Sequence, residues 1–320
     1  MQFNKVLVVG LGQLGLPVAK YVKKRGFDTY GYDITPKAVE IAEKTAAIKQ
    51  AVNFSDFDVF ILCVSTHKPD DMSSPQIDGL ISIADKISKE ANKDGALISI
   101  ESTIPRGTSK KIFELFNHRF HVVHAPHRWY ALEEKEHGVN QLRVIGGVSD
   151  CCLREGMQFY SEDKSNNVKV EEQESSPPHC SLLSQSYLPR GLGISMHPVS
   201  NIDTAEITKI AENSHRYLQI AFAEDLYLYC QANNINFSEL RDALNNKWNV
   251  NILEPREGIG GHCLPKDTIM FLQSSSSGRR SKILTAAMEV DGDYRTFRTK
   301  LDRRIIPTST EGNAIILKKK

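Results

Sequence analysis

A cysteine closes a glycine-rich stretch, Gly258-Ile-Gly-Gly-His-Cys-Leu-Pro-Lys-Asp267. The glycines give the backbone little steric restriction, so it can approach a ligand closely. Cys263 follows them directly, and a thiolate on such a turn can attack a carbonyl carbon. A glycine turn with a buried cysteine fits the same residues equally well. The choice between a nucleophile and a core residue therefore depends on the rest of the chain.

Two polar side chains that could bind an anion lie on the longest helical pattern. Lys209 and Asn213 are four residues apart and so share one face of a helix. The plainer reading is a pair of solvated polar residues on an exposed stripe.

The helix that carries this pair is predicted over Asp203 to Asn233. Asp203 or Thr204 can cap it, and Glu206 falls in its first turn. About 30 residues of helix are roughly 45 Å long, which is more than one small domain needs. We therefore expect a spine between domains and between the two subunits of a homodimer.

A dinucleotide-binding turn is predicted near the N-terminus. The apolar run Lys5-Val-Leu-Val-Val-Gly10 leads into Gly10-Leu-Gly12-Gln-Leu-Gly15, and helical spacing follows. The first glycine allows a tight turn, the second lets the backbone approach a pyrophosphate, and the third lets helix pack on strand. A plain tight turn is the alternative, but strand, spacing and helix agree. The cofactor-binding residues predicted here are Gly10, Gly12, Gln13, Leu14 and Gly15.

The next strand, Asp28-Thr-Tyr-Gly-Tyr-Asp33, ends in a carboxylate. Its distance from the glycines suits a group that binds the adenosine ribose hydroxyls. Because Asp33 would repel a 2′-phosphate, the sequence favours NAD over NADP. A helix cap or turn residue is the plainer reading of Asp33.

Strand and helix patterns go on alternating to about residue 147. Strands are predicted at 58–64, 96–100, 120–124 and 143–147, with helices at 76–91 and 107–116. The alternation predicts an α/β fold with a parallel, doubly wound sheet of the Rossmann type. Ligands of such sheets bind beyond the carboxyl ends of the strands. The loops expected there, facing nicotinamide and substrate, are 65–67, 101–105 and 125–128. The site residues predicted on or beside them are Val64, Ser65, Thr66, Thr103, His127 and Arg128.

Further helical patterns at 237–246 and 282–301 predict a mainly helical second domain built on the long helix. The predicted divisions are an NAD-binding domain at 1–160, an irregular excursion at 161–202, a helical dimerisation and catalytic domain at 203–303 and a tail at 304–320. The excursion is rich in Ser, Asn, Glu and Pro. His179 and Cys180 within it suggest a stray surface pair rather than a metal site.

Composition narrows the class of protein. With 320 residues, 40% of them hydrophobic and 25% charged, the chain is an ordinary soluble globular protein. A net charge of +1 gives no general electrostatic reason to bind nucleic acid or a membrane. Six cysteines without metal-ligand spacing predict no metal site and a reducing cytoplasm. We also expect no membrane span and no signal peptide.

Five motifs together resemble the nucleotide-sugar dehydrogenases, the family of UDP-glucose and UDP-N-acetylhexosamine 6-dehydrogenases. They are GLGQLGLPVA after the first strand, STIPRGT at 102 to 108, RVIGG at 143 to 147, AEITKIAEN at 205 to 213 and GIGGHCLPKD at 258 to 267. The resemblance implies NAD-dependent oxidation of the primary alcohol of a UDP-sugar to a carboxylate, in two hydride transfers.

By position in these motifs, the resemblance also assigns roles. Cys263 would attack an aldehyde intermediate to give a thiohemiacetal, and the thioester formed by the second oxidation would be hydrolysed. Lys209 and Asn213 would stabilise the oxyanion. Asp267 would assist with a water or a proton, and Thr103 would hold a water near the nicotinamide. The residues predicted to bind the sugar nucleotide are His127, Arg128, Lys209, Asn213, Arg256 and Gly260.

The chain departs from the family pattern at two places near the substrate. His127 follows proline where members usually carry glutamate, which changes a proposed acid-base or water-handling group. Lys247-Trp248-Asn249 replaces a Lys-Pro-Arg whose arginine reaches the sugar of a neighbouring subunit. Arg256 is a candidate replacement for that arginine.

Neither the sugar nor the uridine diphosphate site is decided by the motifs. His262 resembles the N-acetylhexosamine branch, whereas Lys266-Asp267 resembles the UDP-glucose branch. The family continues into a second Rossmann-like domain that holds the uridine diphosphate, and this chain stops near its expected first strand at Ala314 to Leu317. We expect either a shortened form or a site closed by another subunit or partner.

Two alternative functions stay open. A single-step β-hydroxyacid dehydrogenase shares the Rossmann-plus-helical layout, the Lys/Asn helix pair and a similar length, and needs no cysteine. A non-catalytic NAD-binding or regulatory subunit is consistent with His127 and with the expected absence of the last domain.

Overall fold

A computed structural model of the chain describes residues 3–68, 70–128, 138–161, 191–275, 277–278 and 280–305. The chain divides into two compact units, Met1–Glu212 with Ile269–Ser274 and Asn213–Thr268 with Ser275–Lys320. Most of the predicted excursion, with His179 and Cys180, and most of the predicted tail, with 314–317, lie outside the described residues. The predicted domain limits therefore stay a prediction.

Among the described residues, strands and helices alternate through the first unit, and the second unit contains helices. The strands are β1 (Lys5–Val9), β2 (Asp28–Tyr32), β3 (Lys49–Gln50), β4 (Val59–Leu62), β5 (His67–Lys68), β6 (Asp71–Pro75), β7 (Leu97–Ile100), β8 (His121–His124), β9 (Arg143–Gly147) and β10 (Met196–Pro198). The helices are α1 (Gly15–Lys24), α2 (Pro36–Ala46), α3 (Asp78–Glu90), α4 (Thr108–Leu115), α5 (Asp150–Tyr160), α6 (Ile202–Ala232), α7 (Phe237–Asn245), α8 (Cys263–Gln273) and α9 (Lys282–Ile305).

Eight of the strands form one sheet in the order β10-β9-β8-β7-β4-β1-β2-β3. The six strands from β8 to β3 in that order pair parallel, which confirms the predicted Rossmann-type α/β fold. The prediction that the strand at 143–147 is parallel to its neighbours is wrong, because β9 pairs antiparallel with β8. Strand β10 then pairs parallel with β9. A run of apolar residues marks a strand but does not encode its direction.

Each central strand contributes to two hydrophobic layers, one on each face of the sheet. Along β1, Val6 and Val8 belong to one buried cluster, while Leu7 and Val9 belong to the other. Successive side chains of a strand point to opposite faces, so a strand covered on both faces is apolar throughout. This burial fixes β1 in the middle of the sheet and places the glycine turn at its carboxyl edge.

The long helix α6 has 31 residues and begins one residue before the predicted start. Asn201 Oδ1 accepts a hydrogen bond from the backbone N–H of Asp203 at 2.9 Å. Asn201 is therefore the cap, and the prediction of Asp203 or Thr204 as cap is wrong. The Asp203 side chain instead pairs with Lys110 at 2.7 Å.

Glu206 caps a helix other than its own. It is fully buried, and its carboxylate accepts the backbone N–H groups of Gly107 and Ser109 at 2.6 and 2.8 Å. The first N–H groups of a helix lack intrahelical partners and favour negative charge. Glu206 thus ties α6 to the start of α4, and its predicted place in the first turn of α6 is wrong by one position.

Residues 263–273, which begin within the predicted glycine turn, form helix α8. Pro265 is tolerated there because it lies in the first turn, where an N–H has no intrahelical partner. The N–H of Lys266 bonds the carbonyl of His262 at 3.1 Å, so Cys263 is the first residue of the helix. Helices α2 and α5 are additional to the predicted ones. None of the helices in the described ranges combines the length and the apolar character that crossing a membrane requires.

The second unit packs around a smaller apolar cluster. Tyr217 and Ala221 of α6, Ile259 of the glycine-rich stretch and Ala287 of α9 form it together. Each of these side chains is at most 6% exposed. The stretch that leads to Cys263 is therefore packed against two helices of its own unit.

Candidate active site

The glycine turn after β1 packs closely against neighbouring backbone at two of its three glycines. Gly10 has φ +88°, and a Cβ there would lie 2.5 Å from the carbonyl oxygen of Cys63. A Cβ on Gly15 would lie 1.7 Å from the carbonyl oxygen of Gly10. A Cβ on Gly12 would meet nothing within 4 Å. The turn therefore requires glycine at 10 and 15 for packing, and at Gly12 it leaves the open approach that a pyrophosphate needs.

Asp33 joins the end of β2 to this turn. Its Oδ2 accepts the backbone N–H of Leu11 at 2.7 Å, and its Oδ1 accepts that of Thr35 at 2.8 Å. The carboxylate thus orders the turn, as the plainer reading of Asp33 expected, and keeps lone pairs for a ribose. A cleft of about 500 Å³ opens beside it, and its lining includes Gly12, Gln13, Leu16, Lys20, Thr35 and Lys37. A cleft of this size suits part of a dinucleotide.

The loops after β4 and β7 are bonded to each other at the carboxyl edge of the sheet. Thr66 Oγ1 donates to the carbonyl of Thr103 at 2.7 Å. Ser102 Oγ donates to the carbonyl of Val64 at 2.7 Å. Ser65 is exposed and contacts His67, with its Oγ 2.8 Å from Nδ1. The structure therefore brings together the two loops that were predicted to face the nicotinamide.

A cluster of buried polar side chains lies just behind this edge. Glu101 and Arg143 are each 1% exposed and pair at 3.1 Å between Oε1 and Nη1. His127 contacts Glu101 through Nε2, and the hydroxyl of Tyr160 donates to Glu101 as well. Ser99 Oγ lies 2.7 Å from the same hydroxyl. Of this group, the sequence predicted His127 as a site residue and Glu101 as part of a loop at this edge. The other members were not predicted, although a charged residue at the start of β9 was a usable signal.

The charges in this cluster are set by its environment. Burial opposes ionisation of Glu101, but His127 and Arg143 outweigh it and lower the pKa of Glu101 to about 2. Burial, assisted by the Arg143 charge, lowers the pKa of His127 to about 4. At neutral pH, Glu101 is a carboxylate and His127 a neutral imidazole whose Nε2–H is donated to it. Burial and the Glu101 charge raise the pKa of the Cys63 thiol well above its usual range, so this cysteine is no nucleophile.

Arg128 and Lys209 lie near this cluster, Arg128 next to His127 in the chain and Lys209 on α6. Arg128 pairs with Glu212 through Nη2 and Nε, and its Nη1 donates to the carbonyl of Leu142 at 3.1 Å. Lys209 is half-buried. Its charge adds, after burial and Arg143, to the lowering of the pKa of His127. The first unit thus gathers His127, Arg128 and Lys209 into one region.

In the second unit, Asn213 and Asp267 are hydrogen-bonded. Asn213 Nδ2 donates to Asp267 Oδ2 at 2.5 Å, and Lys266 Nζ lies 3.1 Å from Asp267 Oδ1. Asp267 is 1% exposed, whereas Cys263 is exposed at the first position of α8. Cys263 and Asp267 are four positions apart, so they share one face of that helix. Three of the predicted catalytic residues therefore lie on two adjoining helical segments of this unit.

Two further predicted residues lie just before and within the glycine-rich stretch. Arg256 is exposed with φ +51°, and its carbonyl accepts the hydroxyl of Tyr294 at 2.7 Å. Gly260 is exposed, and a Cβ there would meet nothing within 4 Å. Both are accessible to a ligand, and their substrate roles stay predictions.

The described residues contain two groups that bring three possible metal ligands within 4.8 Å of one another. They are Cys63, Glu101 and His127, and His121, Cys151 and Cys152. In the first group, a cation would meet the Arg143 guanidinium that already balances Glu101. In the second, Cys152 is part of the hydrophobic core. Neither group adds metal chemistry to the candidate site.

Two domains of one protein family match parts of this chain. Residues 42–163 match the NAD binding domain of the UDP-glucose/GDP-mannose dehydrogenase family, and residues 203–292 match its central domain. The chain belongs to this family. The family resemblance predicted from the motifs is confirmed, and so is NAD as the cofactor.

Individual relatives agree with this placement. UDP-N-acetyl-D-mannosamine dehydrogenase of Methanococcus maripaludis is 28% identical over 92% of this chain and 66% of its own length. The Campylobacter jejuni protein of that name is 29% identical over 92% of this chain and 73% of its own length. The solved structure of UDP-D-ManNAc dehydrogenase from Pyrococcus horikoshii aligns with a TM-score of 0.73 and 25% identity, covering 94% of this chain and 71% of that one. The chain spans about two thirds of the length of the Methanococcus relative.

Proposed function

We propose that the chain catalyses the NAD-dependent oxidation of the 6-hydroxymethyl group of a UDP-sugar to a carboxylate, with Cys263 as nucleophile. The observation that carries the proposal is an exposed cysteine at the start of α8, one turn from the hydrogen-bonded pair Asn213 and Asp267, in a chain whose first unit has an NAD-binding fold. A thiol is needed only when the aldehyde must be oxidised further.

The proposed chemistry uses each of these groups in turn. NAD, held at the glycine turn by Gly12 and Asp33, would supply the hydride acceptor for each of the two oxidations. Between them, Cys263 adds to the aldehyde carbon, and the oxyanion that forms takes hydrogen bonds from Lys209 and Asn213. After the second oxidation a water attacks the thioester carbonyl, releasing the carboxylate and the thiolate. Asp267 orients Asn213 through their hydrogen bond and can accept the proton of that water.

The position of Cys263 suits a reactive thiolate. As the first residue of α8 it lies where helix N–H groups have no intrahelical partner and where the dipole favours negative charge. Cys263 is exposed and so accessible to a substrate, in contrast to the half-buried Cys63 and the buried Cys230. Thr103, at the loop bonded to Thr66, is proposed to hold a water near the nicotinamide.

We propose UDP-N-acetyl-D-mannosamine as the sugar nucleotide. The motifs left the sugar undecided, and the support comes from relatives of that name that align over 92% of this chain. Since the chain spans 66% to 73% of their lengths, binding of the uridine diphosphate is the first property to measure.

The test is to incubate the purified protein with NAD and a panel of UDP-hexoses, including UDP-N-acetyl-D-mannosamine and UDP-glucose, while NADH is followed by absorbance. We expect two NADH per sugar, formed fastest with the N-acetylhexosamine, and a fall to one NADH per sugar after alkylation of Cys263. One NADH per substrate, insensitive to alkylation, would instead indicate a single-step dehydrogenase. Tight NAD binding without turnover on any sugar would indicate a regulatory subunit.

A further inference from the structure

The glycine-rich stretch before Cys263 is held at one residue by a charged pair from α9. We refer to residues 255–262 as the cysteine loop. The backbone N–H of Ile259 donates to Asp291 Oδ1 at 3.0 Å, and the backbone carbonyl of Ile259 accepts from Arg295 Nη2. Arg295 Nε in turn lies 3.0 Å from both oxygens of Asp291. Both main-chain groups of one loop residue are thus bonded to the same ion pair.

The cysteine loop needs such an external restraint. Gly258 and Gly261 have φ values of +98° and +73°, and a Cβ on Gly260 or Gly261 would meet nothing within 4 Å. Glycine loses more conformational freedom on ordering than any other residue, so packing of its own cannot fix this backbone. Ile259 is the exception, because it is 1% exposed within the apolar cluster of its unit. Its position therefore sets where the chain enters α8.

The ion pair is itself oriented by its surroundings. The hydroxyl of Tyr217 donates to Asp291 Oδ2 at 3.3 Å. Asp291 is 7% exposed, so its charge is largely removed from water and depends on Arg295 for compensation. Tyr294, between them in sequence, bonds the carbonyl of Arg256 at the other end of the loop. One turn of α9 thus holds the cysteine loop at two points.

We propose that Asp291 and Arg295 are positioning residues for Cys263. They act through the Ile259 backbone, four residues before the sulfur, and do not contact the reacting atoms. The consequence for turnover rests on the proposed function: the first oxidation does not need the thiol, whereas the second does. Loss of the pair should therefore slow the second oxidation selectively and release the aldehyde.

The direct test is hydrogen exchange on the full chain, comparing Arg295→Ala, Arg295→Lys and the control Arg298→Ala. Arg298 lies on the same helix and bonds the side chain of Glu257 instead of the backbone of Ile259. We expect exchange in peptides spanning the cysteine loop to rise about tenfold or more in Arg295→Ala, because a hydrogen bond to a charged group is lost. Arg295→Lys should recover part of this protection. Unchanged exchange in Arg295→Ala would overturn the proposal.

A second readout separates positioning from general destabilisation. With UDP-N-acetyl-D-mannosamine and hydroxylamine as an aldehyde trap, Arg295→Ala should give fewer than two NADH per sugar and a trapped aldehyde, with KM changed less than kcat. Two NADH per sugar at the wild-type kcat would contradict the proposal. If wild type oxidises no sugar, the proposed function fails by itself. In that case, hydrogen exchange in the cysteine loop still tests the positioning role. The rate of Cys263 alkylation, compared with that of exposed Cys151, tests it as well.

Discussion

His127 lies in a cluster that cannot accept the glutamate usually found at this position in the family. It is 6% exposed and donates Nε2–H to a Glu101 carboxylate that Arg143 already compensates. His127→Glu would place two carboxylates together in a buried site with one guanidinium between them. We predict a cost of about 3 kcal/mol or more and a melting temperature lower by about 5 °C or more.

The matched control for this change is His127→Gln, whose side-chain amide keeps a donor for Glu101. We expect it to melt close to the wild type. The deficit of His127→Glu should shrink at pH 5, because one of two neighbouring carboxyls can then hold a proton. Equal thermal stability of His127→Glu and wild type at pH 7, measured by circular dichroism, would rule out this description of the cluster.

At the level of single residues, the sequence predicted those site residues that lie in a recognisable motif. Asn213 and Asp267 were each predicted as catalytic from separate motifs, and the structure joins them at 2.5 Å. Glu101 was predicted only as part of a loop facing the nicotinamide, and its buried contact with Tyr160 was missed because the two residues are 59 positions apart. Patterns along a sequence report local periodicity, and so they do not reveal which distant polar groups meet in the interior.

Among the elements, α6 carries a buried carboxyl group, Glu224, whose pKa is affected by charged side chains of α9. Glu224 on α6 is fully buried, and neither of its oxygens has a hydrogen-bond partner in the part of the chain that the structure describes. Burial, with the added charge of Asp291, raises the pKa of Glu224 from 4.5 to about 8. Arg295 opposes this shift, and Tyr217 and Tyr294 are the other titratable groups that interact with Glu224.

The raised pKa predicts how stability changes with pH. The folded protein keeps the Glu224 proton at pH values where the unfolded chain loses it. The contribution of Glu224 to folding stability is therefore complete below about pH 4.5 and declines as pH rises through about 8. Glu224→Gln cannot ionise and should remove this part of the pH dependence. Melting temperatures measured from pH 5 to 8.5 should therefore fall less in Glu224→Gln than in wild type. Parallel curves for the two proteins would contradict the assignment.

Elements with strong apolar periodicity were the predictable ones. The pattern placed α6 within one residue at each end, and β1, β4, β7 and β8 were all predicted from their apolar runs. Helix α8 was missed because Pro265 and the preceding glycines indicate a loop, although a proline is tolerated in a first turn. The direction of β9 was missed because pairing direction is a property of the sheet.

For the whole molecule, association through α6 stays a prediction, and its exposed aromatic residues make it testable. Phe222 and Tyr229 are each 58% exposed and lie seven residues apart, on one face of the helix. If this face joins two subunits, Phe222→Asp with Tyr229→Asp should convert a dimer to a monomer, because charges would enter an apolar interface. Light scattering after size exclusion measures the mass.

The control for this change is Val52→Asp, which places a charge on a side chain that is 91% exposed in the first unit. It should leave the mass unchanged. A wild-type protein that is monomeric at micromolar concentration, or a double variant that stays dimeric, would show that this face is not the interface. The subunit arrangement could not be derived from one sequence, because exposed aromatic residues on a helix also occur in monomers.

For the whole protein, the proposed activity depends on Cys263 entering the reaction between two oxidations. The most direct test is the amount of NADH formed per UDP-N-acetyl-D-mannosamine consumed, in wild type and in Cys263→Ser, with products identified by mass spectrometry. We predict two NADH and a carboxylate for the wild type, and one NADH with an aldehyde for the variant, because only the second oxidation needs the thiol. Two NADH and a carboxylate from Cys263→Ser would contradict the account.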